Sequence, residues 1–131
     1  MEMKALAGES FDFKKYLASK LREELLLVIG GYCKGHVLPP DVEVYLSETD
    51  SWHPLPSLNM PSGRTGHGAA AIGNMLYVTG GRYEHNLSEN NSVIALDLNE
   101  PLSGWKECPE MLSKRKGGCT VAIDEKLYAI G

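Results

Sequence analysis

The segment RTGHGAAAIGNMLYVTGG, residues 64–81, returns as RKGGCTVAIDEKLYAIG at residues 115–131. Aligned from Arg64 and Arg115 without a gap, seven of seventeen positions agree: Arg64/Arg115, Gly66/Gly117, Ala71/Ala122, Ile72/Ile123, Leu76/Leu127, Tyr77/Tyr128 and Gly80/Gly131. A third, partial copy lies upstream, where LLLVIGG at 25–31 has the form of MLYVTGG at 75–81, fifty positions earlier. The tryptophans keep the same beat, Trp52 following Gly31 by 21 positions and Trp105 following Gly81 by 24. A fixed period near fifty residues marks a repeat architecture, in which each unit buries its apolar faces against its neighbours.

Each unit reads as short strands. In the middle copy, residues 67–72 are small and apolar and form a first strand. Gly73-Asn74 is a two-residue turn, and glycine in its first position suits type II′. Residues 75–79 are almost continuously apolar, as a strand covered on both faces requires. A polar loop over 82–91 leads to a third strand at 92–98, and Trp105 opens a fourth. Four antiparallel strands in fifty residues make one propeller blade. The expected fold is therefore all-β: an incomplete β-propeller of about two to two and a half four-stranded antiparallel blades. It comprises three strands of a first blade, one full blade and half of a third. The double glycines let the chain leave a crowded strand end, and Trp105 is the apolar plug between neighbouring blades. For Trp52, Trp105, Gly80 and Gly81 a role in the fold outweighs any role as a ligand.

The first 24 residues fall outside the repeat. Phe13, Tyr16, Leu17 and Leu21 recur at helical spacing and Ser10 suits an N-cap, so 1–24 is expected to be a short helical lead-in. The repeats then occupy 25–131, divided as 25–64, 65–115 and a partial third at 116–131.

Composition narrows the function. A net charge of -4 argues against nucleic acid, which asks for a basic face. The longest apolar run, 25–29, is far below the roughly 20 residues of a membrane span, and it is too short for a signal-peptide core. Three widely spaced cysteines, Cys33, Cys108 and Cys119, fit reduced thiols. These features point to a cytoplasmic protein, with nuclear or cytoskeletal placement as the variants. The triplets Asn86-Leu87-Ser88 and Asn90-Asn91-Ser92 read as chance occurrences in a polar loop.

The joint pattern of glycine pair, tyrosine, tryptophan and arginine resembles the kelch repeat. It reads Gly30-Gly31 with Trp52 and Arg64, then Tyr77 to Gly80-Gly81 with Trp105 and Arg115, and begins again at Tyr128 to Gly131. The lead-in at 25–31, followed by Tyr32, is similar to the start of the propeller in BTB-kelch (kelch-like) proteins. That family also carries an N-terminal BTB domain and a helical BACK domain, and its propellers close with six blades or so. Against that standard the sequence is expected to be a fragment or truncated form. Open strand edges invite pairing with another chain, so the isolated chain is expected to self-associate.

In a blade whose strands alternate outward from the axis, the second-to-third-strand loops and the links between blades share one rim. The longest loops here, 32–40 and 82–91, lie on that rim, whereas the opposite turns are minimal, Gly73-Asn74 and Asp124-Glu125. Varied loops on a rigid scaffold carry recognition, so the first rim is the expected binding face. The resemblance implies that this rim captures a short peptide of a client protein. The BTB domain, absent from these residues, would engage a cullin scaffold for ubiquitination of the client. It further implies that Tyr32, Thr65, Arg82 and Lys116 stand at client-contacting positions. Arg82 can pair with a client carboxylate, with Tyr83 and His85 adding stacking and hydrogen bonds. For Arg64 and Arg115 a structural role is the better reading, and for Arg82 both readings stay open.

Two alternative roles stand beside client capture. Some kelch proteins bundle actin, and nothing in the sequence separates that role from client capture. A few kelch-type propellers are catalytic, but His36, His53, His67 and His85 are isolated, and the pair Cys33 and His36 lacks a second pair to complete a metal site. No catalytic residue, cofactor or metal is therefore expected.

Overall fold

The computed structural model describes residues 26–35 and 38–131. The proposed helical lead-in and His36 lie outside the described residues.

The described residues form strands joined by loops, with two short 3-10 turns at Pro56–Leu58 and Pro101–Ser103. A first sheet contains β1 (Leu26–Ile29), β2 (Val42–Leu46) and β3 (Ser51–Pro54), in that order. Two-residue strands β4 (Arg64–Thr65) and β7 (Arg82–Tyr83) pair with each other. Between and beyond them, β5 (Gly68–Ile72), β6 (Met75–Thr79), β8 (Val93–Asp97) and β9 (Lys106–Cys108) make a four-stranded antiparallel sheet in the order β5-β6-β8-β9. The hairpin β10 (Cys119–Ile123) and β11 (Lys126–Ile130) follows. Three strands, four strands and two strands are the expected partial, complete and half blades.

The boundaries also agree closely. β6 covers the expected 75–79, while His67 and Trp105 each fall one residue short of the strand they were expected to open. At the β5–β6 turn only Gly73 has positive φ, at 55°, as type II′ requires. At the β10–β11 turn both Asp124 (φ 48°) and Glu125 (φ 59°) do, as type I′ requires.

Strand alternation gives each blade two faces. On the first sheet Leu27 and Ile29 share a face with their partners Val44 and Val42. That face packs against Leu76, Leu96 and Leu98 of the second blade, with Leu55 and Leu58 from the connecting segment. Val78 and Ile94, cross-strand partners on the second blade, continue the contact with Met60. Trp105 packs against both groups, and its Nε1–H donates to the Leu58 carbonyl at 2.8 Å. It thus ties the second blade to the first. Trp52, its repeat counterpart, is 45% exposed and lies against Tyr45 of its own sheet. Among the described residues nothing packs on that flank of the first blade.

The other face of the second blade meets the hairpin. There the inner strands converge and side chains are small. A Cβ on Gly68 would lie 2.8 Å from the Thr120 Cβ, and Thr79 and Thr120 share a buried hydroxyl hydrogen bond of 2.6 Å.

Candidate functional site

The loop-bearing rim is organised around the glycine pairs. Gly80 and Gly81 have φ of 62° and 91°. A Cβ on Gly80 would overlap the Arg115 carbonyl oxygen, and one on Gly81 would stand 2.8 Å from the Thr65 carbonyl. Only glycine meets both demands. In each complete pair the second glycine donates its N–H to the carbonyl of the arginine that closes its repeat: Gly31 to Arg64 at 3.2 Å, Gly81 to Arg115 at 2.7 Å.

The arginine side chains reach forward to the glycine of the following repeat. Arg64 is 2% exposed, and its Nη1 donates to the Gly80 carbonyl and to Ser92 Oγ, both at 3.1 Å. Arg115 Nη1 donates to the Gly131 carbonyl, the repeat-equivalent acceptor. Burial makes the charged form of Arg64 less favoured than usual, with Tyr83 acting in the opposite direction. The Arg64 guanidinium lies 4.9 Å from the centre of the Tyr83 ring, a cation–π contact.

This arrangement gives half-exposed Tyr83 a role in the fold as well. Its hydroxyl donates to Ser92 Oγ at 3.0 Å and Arg64 packs on its ring. The fold therefore uses Tyr83, which supports exposed His85 by stacking at 5.2 Å between ring centres. The physical reason is that β7 turns back to pair with β4, which draws the start of the loop over the buried arginine.

The other expected contacts gather nearby. Thr65 and Arg82 are β4–β7 partners. Arg82 also forms a backbone bridge with Glu89, and its Nε–H donates to the Leu87 carbonyl at 2.8 Å. Glu89 receives the Lys116 ammonium at 2.5 Å. Hydrogen bonding and charge attraction from Lys116, with smaller help from Arg82 and Lys114, hold the Glu89 carboxyl below its ordinary pKa. Tyr32 is 62% exposed and directly follows Gly31, which is bonded to Arg64 beside Thr65. The rim thus brings Thr65, Arg82, His85 and Lys116 into one neighbourhood, with Tyr32 on the adjoining blade.

Three contributors were not identified from sequence. Glu89 joins Arg82 to Lys116, and no local motif signals a partner in another repeat. Asn90 is buried, donating Nδ2–H to the Gly81 carbonyl and accepting from Ser92 N–H and Oγ–H. Asn86 accepts from Ser88 in the same way. The Asn-x-Ser triplets are therefore side-chain-closed turns that shape the loop, and the spacing itself was the available signal. His67 is the third: its Nε2–H donates to the Ile29 carbonyl at 2.8 Å, and its Nδ1 is buried without a hydrogen-bond partner. Burial lowers its pKa; the Ile29 and Arg64 backbone groups oppose this and the Arg64 charge reinforces it.

The described histidines serve separate local contacts: His53 lies near Ser51, His67 on Ile29 and His85 on Tyr83. Among the described residues no three of His, Cys, Asp and Glu gather as a metal site would need.

Comparison with known proteins gives a consistent result. The Kelch motif family matches residues 23–59 and 63–112. Human Kelch-like protein 42 is 28% identical over 131 residues, covering 88% of this chain and 25% of that protein. Human Kelch-like protein 33 is 38% identical over 91 residues, covering 67% of this chain and 16% of that protein. Kelch-like protein 15 of Danio rerio is 40% identical over 80 residues, covering 60% and 12%. The chain thus spans a quarter or less of these relatives. The solved structure of YjhT superimposes with a TM-score of 0.68 at 20% identity, covering 81% of this chain and 41% of that one. This supports the propeller fold.

Proposed function

The chain belongs to the kelch-repeat family, and from that premise we propose that its loop-bearing rim captures a short segment of a client protein. In this reading the repeats are the substrate-recognition part of a cytoplasmic cullin-RING ubiquitin ligase adaptor. The cullin contact would run through a BTB domain elsewhere in a longer protein. Tyr32, Thr65, Arg82, Tyr83, His85 and Lys116 are the contact residues, with Tyr83 also stacking on His85.

The observation that carries the reading is the exposed Lys116–Glu89 ion pair on the rim with the long loops, with the charge of Arg82 acting more weakly on the same carboxylate. Lys116 can exchange Glu89 for an acidic side chain of a client, with Arg82 close enough to add its charge. An exposed ion pair contributes little to folding, so opening this one for a ligand costs the fold little. The described histidines, each in a local contact, support binding over catalysis.

Affinity capture with the longest natural form carrying these repeats tests the role. Joint enrichment of a cullin and a client is the expected outcome. Enrichment of actin alone would overturn the adaptor reading in favour of a cytoskeletal scaffold. With a client in hand, Arg82→Ala should weaken binding by about 1–3 kcal/mol if it is a hot spot, measured by calorimetry. Unchanged affinity removes Arg82 from the site.

A further inference from the structure

Leu87, in the loop between β7 and β8, is a bulky apolar residue in an unfavourable place. Its φ is 53°, in the left-handed region that residues other than Gly, Asn and Asp seldom enter. Its side chain is 52% exposed. Neither burial nor backbone preference selects leucine there. The conformation is nevertheless held from three sides. Leu87 N–H donates to the Tyr83 carbonyl at 2.9 Å, and Arg82 Nε–H donates to the Leu87 carbonyl at 2.8 Å. Asn86 Oδ1 accepts from Ser88 N–H and Oγ–H on either side of it. A strained backbone fixed this firmly beneath an exposed apolar side chain is the mark of a contact made with a partner.

A second exposed leucine lies on the segment alongside. Met111 N–H donates to the Asn91 carbonyl and Arg115 N–H to the Asn90 carbonyl, so residues 111–115 run beside the end of the β7–β8 loop. Between these two contacts Leu112 is fully exposed. Its repeat counterpart Pro61 is exposed too, although β8 and β9 of the following blade are in place there. The position is therefore open within a complete junction, whatever follows the hairpin. Leu87 likewise belongs to the complete blade, with a sheet on each side. The Lys116–Glu89 ion pair joins the same two segments.

Resting on the rim reading above, we propose that the client segment carries an acidic side chain close to a bulky apolar one. The carboxylate takes the place of Glu89 on Lys116, and the apolar side chain is covered against Leu87 and Leu112. Leu87 is the residue that sets specificity. Charge alone would accept any acidic segment, whereas leucine disfavours segments that lay a polar or charged group on it, because that group loses water without gaining a partner.

The test is selection of a displayed library of random short peptides on the longest natural form carrying these repeats, followed by calorimetry with the strongest binder. Enriched peptides should carry Asp or Glu within a few positions of Leu, Ile, Met or Phe. Leu87→Asn keeps a residue that tolerates the left-handed backbone and removes only the apolar surface. It should weaken the peptide about tenfold and leave the urea midpoint unchanged or raised. Lys116→Gln should weaken it independently. Acidic peptides that respond to Lys116→Gln but not to Leu87→Asn would overturn this proposal and leave the rim reading standing. Peptides indifferent to both substitutions, or no enrichment at all, would overturn both. A lowered urea midpoint for Leu87→Asn would overturn the proposal alone, since the side chain would then serve the fold.

Discussion

At the junction between the first and second blades, Leu58 and Leu96 are wholly buried, and Trp105 reaches across to the Leu58 carbonyl. At the junction between the second blade and the hairpin, the buried contact is a hydroxyl pair, Thr79 with Thr120, beside Gly68. The same repeated segment supplies strands to both. The difference lies in which strands take part. Near the axis strands converge and leave room for Gly, Ala and Thr. Farther out they diverge, and Leu, Val and Trp fill the widening gap. A junction made only of inner strands is consequently narrow and partly polar. Repetition specifies the backbone path, whereas stability depends on the outer strands.

Substitutions can test this contrast. Leu96→Ala should cost about 2–5 kcal/mol, as deletion of a buried leucine does, read from the urea midpoint. Leu127→Ala, at the half-exposed equivalent of Leu76, should cost less than half as much. Equal losses would show that the two junctions are equally strong. Next in size is Thr120→Val, which strands the buried Thr79 hydroxyl and should cost about 1–3 kcal/mol. Hydrogen exchange should show the loss in β10 and β11 while β6 and β8 stay protected. Adding Thr79→Val should restore most of it, since no unpaired hydroxyl then remains.

Acid should act on the other junction. His67 leads into β5 and donates to Ile29 of the first blade. Its folded-state pKa lies below the ordinary 6.5, so the unfolded chain takes up the proton first. The contribution is present above pH 6.5 and is lost as pH falls from there toward the depressed folded value. The urea midpoint should drop over that window, and His67→Gln should flatten the drop. The smallest effect belongs to the hairpin turn. Glu125→Gly relieves a positive φ of 59° and should gain about 0.5 kcal/mol after the flexibility of glycine is deducted. Raised exchange protection confined to β10 and β11 would confirm that the hairpin opens on its own.

Much of the architecture was legible in the sequence because the period, the glycine pairs and the apolar runs are long-range regularities. They placed β6 residue for residue and gave the three-four-two strand count. The β4–β7 pair was not legible, since two-residue strands have no alternation to detect. Only that pairing shows that Tyr83 lies over Arg64 as well as on the rim. The Glu89–Lys116 ion pair lies beyond sequence reading for another reason: its partners belong to different repeats, and rim geometry alone brings them together. Trp52 and Trp105 share a motif position but differ in burial, because a neighbouring sheet covers only Trp105.

The arginine-to-glycine clasp has a consequence for how such a chain can change length. Arg64 to Gly80 and Arg115 to Gly131 both span sixteen positions, whereas the interval from glycine pair to tryptophan is 21 in one repeat and 24 in the next. The clasp acts as a rigid ruler and the intervening stretch as elastic. By register one of the three extra positions lies in the loop before β8 and two in the turn before β9, so added length is taken up at both ends of the outer strands while the clasp stays as it is.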